Sequence, residues 1–184
     1  MSISYNSKSF TLATTETFNK QLEKKDIPRE TKTIYLGYYF NQEIKVNVLP
    51  NTLDKIVFGH RYNREIKKGV LPKSITYLEL GQSYSYKINA GVLPKNLRYL
   101  KISDYKYTPD ISVYPPYLKI FEISNIMSDI LDNLPPTLET LIISGVKNTV
   151  NNFPSKLRKI VCKGGLYSEK YFPKLPFGCI IINN

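Results

Sequence analysis

The chain has 184 residues, 42% of them apolar, which is enough for one domain with a sizeable core. Its apolar runs, such as Leu141 to Ser144 and Ile180 to Ile182, are strand-sized, so no membrane span of roughly 20 residues fits, and no signal-type stretch opens the chain. Two cysteines, Cys162 and Cys179, are too few for a disulfide framework, and the net charge of +11 makes a polyanion partner worth weighing.

Residues 1–17 hold "SFTLATTE" where a strand preceding the first regular segment is expected, and read as an N-terminal cap or degenerate coil. From residue 18 onward the sequence repeats. Aligned on proline, the units fall at Pro28, Pro50, Pro72, Pro94, Pro115, Pro135 and Pro154, with a degenerate eighth at Pro176. Three residues after proline stand Thr31, Leu53, Ile75, Leu97, Leu118, Leu138 and Leu157. Six after come Ile34, Ile56, Leu78, Leu100, Phe121, Leu141 and Ile160, and eight after Leu36, Phe58, Leu80, Ile102, Ile123, Ile143 and Cys162. A small residue follows at Gly37, Gly59, Gly81, Ser103, Ser124 and Ser144. Alternating apolar positions predict a short strand, the small residue a turn after it, and proline the turn that enters it. Self-similarity at this period predicts a solenoid with a parallel sheet on one face, mostly irregular outer segments and little helix.

The segments between strands rhyme as well: "FNKQL" at 18–22, "FNQEI" at 40–44, "YNREI" at 62–66 and "YSYKI" at 84–88, fading to "YTPDI" at 107–111 and "IMSDI" at 126–130. Phe18, Phe40, Tyr62 and Tyr84 predict an inner aromatic spine, and Asn19, Asn41 and Asn63 caps for backbone groups at a corner. Residues 164–184 read as a C-terminal cap with a shortened strand at Cys179 to Ile182. That strand is to be covered, or to pair edge to edge with another chain.

The combination of "FNQEI" or "YNREI", "GVLP" and L-x-x-L-x-L-G resembles the FNIP repeat, a leucine-rich-repeat-like unit of about 22 residues. The resemblance runs over residues 18–163 and is strongest in the units that close at Pro50, Pro72 and Pro94. It implies a single solenoid over 1–184 from a social amoeba or an amoeba-infecting giant DNA virus. Some members place an F-box before the repeats; the residues before "FNKQL" are too few for one, so repeats alone are expected.

The function expected of such a solenoid is non-enzymatic protein–protein interaction through the sheet face, inside the cell, with an unidentified partner protein for which a host protein is one candidate. Positions five and seven after proline should be exposed there, and the candidate contact residues are Tyr35, Val57, Tyr77, Glu79, Tyr99, Lys101, Ile120 and Glu122. The same Tyr, Val and Ile also suit a β-sheet for its own sake, and neighbouring tyrosines stabilise it. The alternative is a polyanion or nucleic-acid partner. Against it, 21 of the 26 basic residues are Lys, and the excess is even: 14 basic and 8 acidic residues in 1–92, 12 and 7 in 93–184.

Sites for chemistry are scarce. His60 is the single histidine, and the solenoid puts Cys162 five repeats away, about 24 Å at the spacing of parallel strands. Asp129 and Asp132 have no companion ligands, and Lys67 and Lys68 fall on an outer, solvated corner. No enzyme activity, cofactor or metal is expected.

Overall fold

The computed structural model describes residues 2–103, 113–124, 133–145, 149–150, 152–165 and 169–184. The "YTPDI" and "IMSDI" segments, with Asp129 and Asp132, fall outside these. Ten strands form one sheet in sequence order: β1 Ile3–Asn6, β2 Thr11–Thr14, β3 Thr33–Tyr35, β4 Lys55–Val57, β5 Tyr77–Glu79, β6 Tyr99–Ser103, β7 Ile120–Ser124, β8 Thr140–Ser144, β9 Lys159–Lys163 and β10 Ile180–Asn183. From β2 to β10 every neighbouring pair is parallel. Helical structure among the described residues is confined to 3-10 turns, Lys24–Asp26 and Glu169–Tyr171 among them. No helix among them is long and apolar enough to cross a membrane.

Proline earns its fixed place in each coil through its carbonyl. The Pro28, Pro50, Pro72, Pro94, Pro115, Pro135 and Pro154 oxygens each accept the N–H three residues on, closing the turn that aims the chain into the strand. The residue that donates is the first buried one: Thr31, Leu53, Ile75, Leu97, Leu118, Leu138 and Leu157 are wholly enclosed. Positions six and eight after proline follow them into one continuous core, as the alternation predicts. Each enclosed leucine or isoleucine contributes about 1.5–3 kcal/mol by leaving water.

Opposite the strands, Phe18, Phe40, Tyr62 and Tyr84 stack with centroids 6.2, 6.0 and 6.2 Å apart and planes within 9°. Beside this spine, Asn19 Oδ1 accepts the Asn41 N–H, Asn41 Oδ1 the Asn63 N–H, and Asn63 Oδ1 the Ser85 N–H. The asparagines bridge successive coils rather than capping their own.

Both ends differ in detail from expectation. "TLAT" is indeed a strand, but β1 folds back on it antiparallel, with Ile3 opposite Thr14. The last strand begins at Ile180, not Cys179, because the Cys179 N–H closes the turn onto Pro176. Ile180 pairs with Lys159, so the strand is joined one position early relative to its proline.

The sheet face as candidate interaction site

Parallel strands in strict register carry equivalent residues side by side, about 4.8 Å apart. On the outer face of the sheet, position five gives Thr33, Lys55, Tyr77, Tyr99, Ile120, Thr140 and Lys159, and position seven Tyr35, Val57, Glu79, Lys101, Glu122, Ile142 and Val161. Register therefore brings all eight candidate residues onto one surface spanning β3 to β7.

That surface is internally satisfied. The Tyr77 and Tyr99 rings lie parallel, 4.1 Å apart and within 3°. The Lys55 ammonium sits 4.1 Å from the Tyr77 ring centre and 5.3 Å from that of Tyr35, so one cation bridges two rings. Below this row Lys101 Nζ lies 2.7 Å from Glu79 Oε1 and 3.7 Å from Glu122 Oε1. The Tyr77 hydroxyl donates to Glu79 and the Tyr99 hydroxyl to Glu122 at 2.5 Å.

Glu122 departs from the expected exposure: it is 7% exposed, although position seven faces outward. Its carboxylate is roofed by its own partners, Tyr99, Lys101 and Lys163, whose ammonium approaches to 2.9 Å. Burial pushes the Glu122 carboxyl up, but the bonds from Tyr99 and Lys163 and the charge of Lys101 outweigh it and hold it below the usual glutamate value. Burial, together with the bond to Glu122, pushes the Tyr99 hydroxyl far up, so it remains a proton donor. The outer surface here thus presents ring edges, hydroxyls and one exposed ring, Tyr35, more than a bare charged row.

The face changes character along its length. From β3 to β6 it carries Tyr35, Tyr77 and Tyr99 with Lys55, Glu79 and Lys101; from β7 to β9 the half-buried Ile120, Ile142 and Val161 stand among Glu122, Thr140 and Lys159. Past the C-terminal ends of the strands lies a group that sequence reasoning passed over. Tyr38 and Tyr39 are exposed and meet edge to face at 4.8 Å, and His60 stacks on Tyr38 at 4.7 Å. Their signal in the sequence is only the "GYYF" after β3, which has no counterpart in the neighbouring coils. His60 also lines a cavity of about 200 Å³ with Phe58, Glu79, Gly81, Lys101 and Ser103, and its Nδ1 is buried without a hydrogen-bond partner.

The remaining candidates keep structural places. Lys67 pairs with Glu43 at 2.7 Å on the outer side, along a polar groove bounded by Gln42, Arg64 and Tyr86. Among the described residues no group of His, Cys, Asp and Glu could hold a metal ion.

A parallel sheet of stacked, nearly helix-free coils defines a leucine-rich-repeat-like solenoid, a fold and family typically non-enzymatic and suited to protein interaction. Within that class residues 18–61 and 62–105 match the model of the FNIP repeat, and this stretch of the chain consists of FNIP repeats. Coils beyond residue 105 keep the ladder while their outer segments lose the motif. The chain is similar to the crystal structure of CroV588, a circular leucine-rich-repeat protein, at 25% identity and a TM-score of 0.72 over 94% of its own length. It spans 26% of that chain. No curated protein sequence matches it.

Proposed function

We propose that the protein is a non-enzymatic interaction module that binds a partner protein through the sheet face, within an amoebal cell or as a giant-virus product acting in one. The observation that carries this reading is the preorganised row Tyr35, Lys55, Tyr77 and Tyr99 continued by the aliphatic Ile120, Ile142 and Val161. Side chains already locked against each other lose little entropy on contact, and aromatic anchors beside apolar surface are where binding energy concentrates. The polyanion alternative has no comparable cluster on this face, because Lys101 and Lys163 there are neutralised by glutamates.

The experiment is a nuclease-treated pull-down from amoebal lysate at low and moderately high salt, with wild type beside a Tyr35→Ala, Ile142→Ser double variant. Both sites lie on the sheet face, and neither change adds or removes a charge beside Glu122. A protein retained by wild type at high salt and lost by the variant supports the module. Nucleic acid alone, released as salt rises, supports the polyanion reading instead. Equal capture by both chains moves the contact off this face.

A further inference from the structure

Positions one, two and four after proline come just before each strand, on the rim of the solenoid rather than on the sheet face. Backbone bonds extend the ladder onto this rim: the Arg98 N–H donates to the Thr76 carbonyl at 2.8 Å, and the Lys119 N–H to that of Arg98 at 2.9 Å. Equivalent rim residues therefore stand about 4.8 Å apart on a fixed frame.

Charge that the sheet face neutralises stays open on part of this rim. After Pro72, Pro94 and Pro115 the three positions hold the cations Lys73, Lys95, Arg98 and Lys119 and no acid. Lys119 pairs with Glu139 at 2.8 Å, but Lys73, Lys95 and Arg98 form no ion pair among the described residues. Amid them a cleft of about 450 Å³ is lined by Ser74, Thr76, Asn96, Arg98 and Tyr117. Tyr117 is 61% exposed, the most of any tyrosine among the exposed apolar and aromatic side chains. The Ser74 and Thr76 hydroxyls already donate to the Leu53 carbonyl and to Asp54 Oδ1, and the Asn96 amide nitrogen donates to the Lys73 carbonyl. What these three have left to offer a ligand is mainly acceptor capacity.

We infer that this rim binds single-stranded nucleic acid, with a base stacked on Tyr117 and phosphates along Arg98, Lys95 and Lys73. Unpaired cations suit the backbone, an uncovered ring suits the face of a base, and Asn96 and Ser74 suit the N–H groups on its edge. A duplex hides its base faces in the stack, so it could use the cations but not the ring. An acidic peptide would likewise leave the ring and the acceptors without a role. The rim is separate from the sheet face, and the inference stands without that interface.

The test is fluorescence anisotropy of a short fluorescein-labelled single strand of mixed sequence, titrated at several salt concentrations beside its duplex and a labelled oligoglutamate peptide. The full chain is compared with Tyr117→Ala, Arg98→Gln and Lys45→Gln, with circular dichroism checking that the sheet persists. Lys45 is exposed on the outer segment of an earlier coil, so its variant loses the same charge away from the cleft. The single strand should bind more tightly than the duplex or the peptide, and Tyr117→Ala should weaken it about fivefold or more. Arg98→Gln should weaken it and flatten the salt slope by about 0.7, and Lys45→Gln should change it less than either. Absence of binding overturns the proposal. So does equal binding by wild type and Tyr117→Ala, or an equal loss in Lys45→Gln and Arg98→Gln, since charge alone would then account for the affinity. Tighter binding of the duplex or of oligoglutamate would overturn it as well, and the latter would give the rim to an acidic protein segment.

Discussion

Lys163 on β9 places its ammonium 2.9 Å from Oε1 of Glu122 on β7, reaching across the full width of β8. Two strand spacings are about 9.6 Å, a gap that only a long lysine and a glutamate extended toward each other can close. The contact ties three coils together on the sheet face, where Glu122 also accepts from Tyr99 and faces Lys101.

Removing the acceptor should cost more than removing one donor. Glu122→Leu leaves Lys163 without its counter-charge, Lys101 with Glu79 alone and the Tyr99 hydroxyl without its acceptor, and is expected to destabilise by about 2 kcal/mol; Lys163→Met leaves two partners in place and should cost about 1 kcal/mol or less. Urea denaturation of both variants measures the difference. A larger loss for Lys163→Met would mean that its bond, rather than Tyr99, holds the carboxylate.

The same carboxyl sets a pH dependence. Its pKa is held below the ordinary 4.5, so its stabilisation is present above that value and is lost as pH falls through the folded-state pKa. Wild type should therefore lose stability in acid more steeply than Glu122→Gln. The check is the denaturation midpoint of each at neutral pH and at successive steps below 4.5.

Gly59 and Gly69 should both resist substitution, for different reasons. A Cβ on Gly59 would stand 1.9 Å from the Gly37 carbonyl oxygen, so Gly59→Ala must push two coils apart and should cost about 2–3 kcal/mol. At Gly69 the space is open but φ is +87°, and alanine there should cost about 1 kcal/mol. Asn47 holds the matching place one coil earlier at φ 65°, so Asn47→Gly should be neutral or stabilising. Thermal midpoints rank the three.

Asn41 Oδ1 accepts the Asn63 N–H at 2.9 Å, in the middle of the asparagine series. Asn41→Ala leaves that part-buried N–H unpaired and is expected to cost about 1–2 kcal/mol, whereas Asn41→Asp keeps an acceptor and should cost less. Hydrogen exchange at the Asn63 amide should accelerate in the alanine variant; an unchanged rate would mean that the bond contributes nothing.

The two thiols should separate kinetically. Cys162 is wholly enclosed, and burial pushes its thiol up to about 11; Cys179 is only partly buried, and its rise is offset in part by Arg158. In a thiol-exchange assay of the folded chain, Cys179 should react first and Cys162 only on unfolding. Simultaneous reaction of both would mean that the C-terminal coils open together.

Much of this fold was legible in the proline spacing, because a parallel ladder forces each coil to repeat the one before it. Thr31 shows the limit: a polar residue in the leucine series, it is as buried as its neighbours, since register rather than hydropathy decides its place. The antiparallel β1 was not legible, because its pairing comes from a turn at residues 7–10 where Phe10 adopts φ 51°, a conformation its side chain does not announce. The glycines were read as turn markers; the turn is real at Gly37, whose oxygen accepts the Phe40 N–H, but close approach of the preceding coil at Thr15 is what forbids a side chain.

By itself the sequence determined which residues share a ladder, since the repeat length fixes i and i plus one coil as neighbours, and so it placed Tyr77 beside Tyr99 and Glu79 beside Lys101. Only the tertiary structure decided what those neighbours do. Whether a glutamate on an outward position lies open or is roofed depends on the length and direction of side chains one and two strands away, as Lys163 is for Glu122. The stacking of Tyr38 on His60, one repeat apart, likewise depends on side-chain direction, which no periodicity encodes.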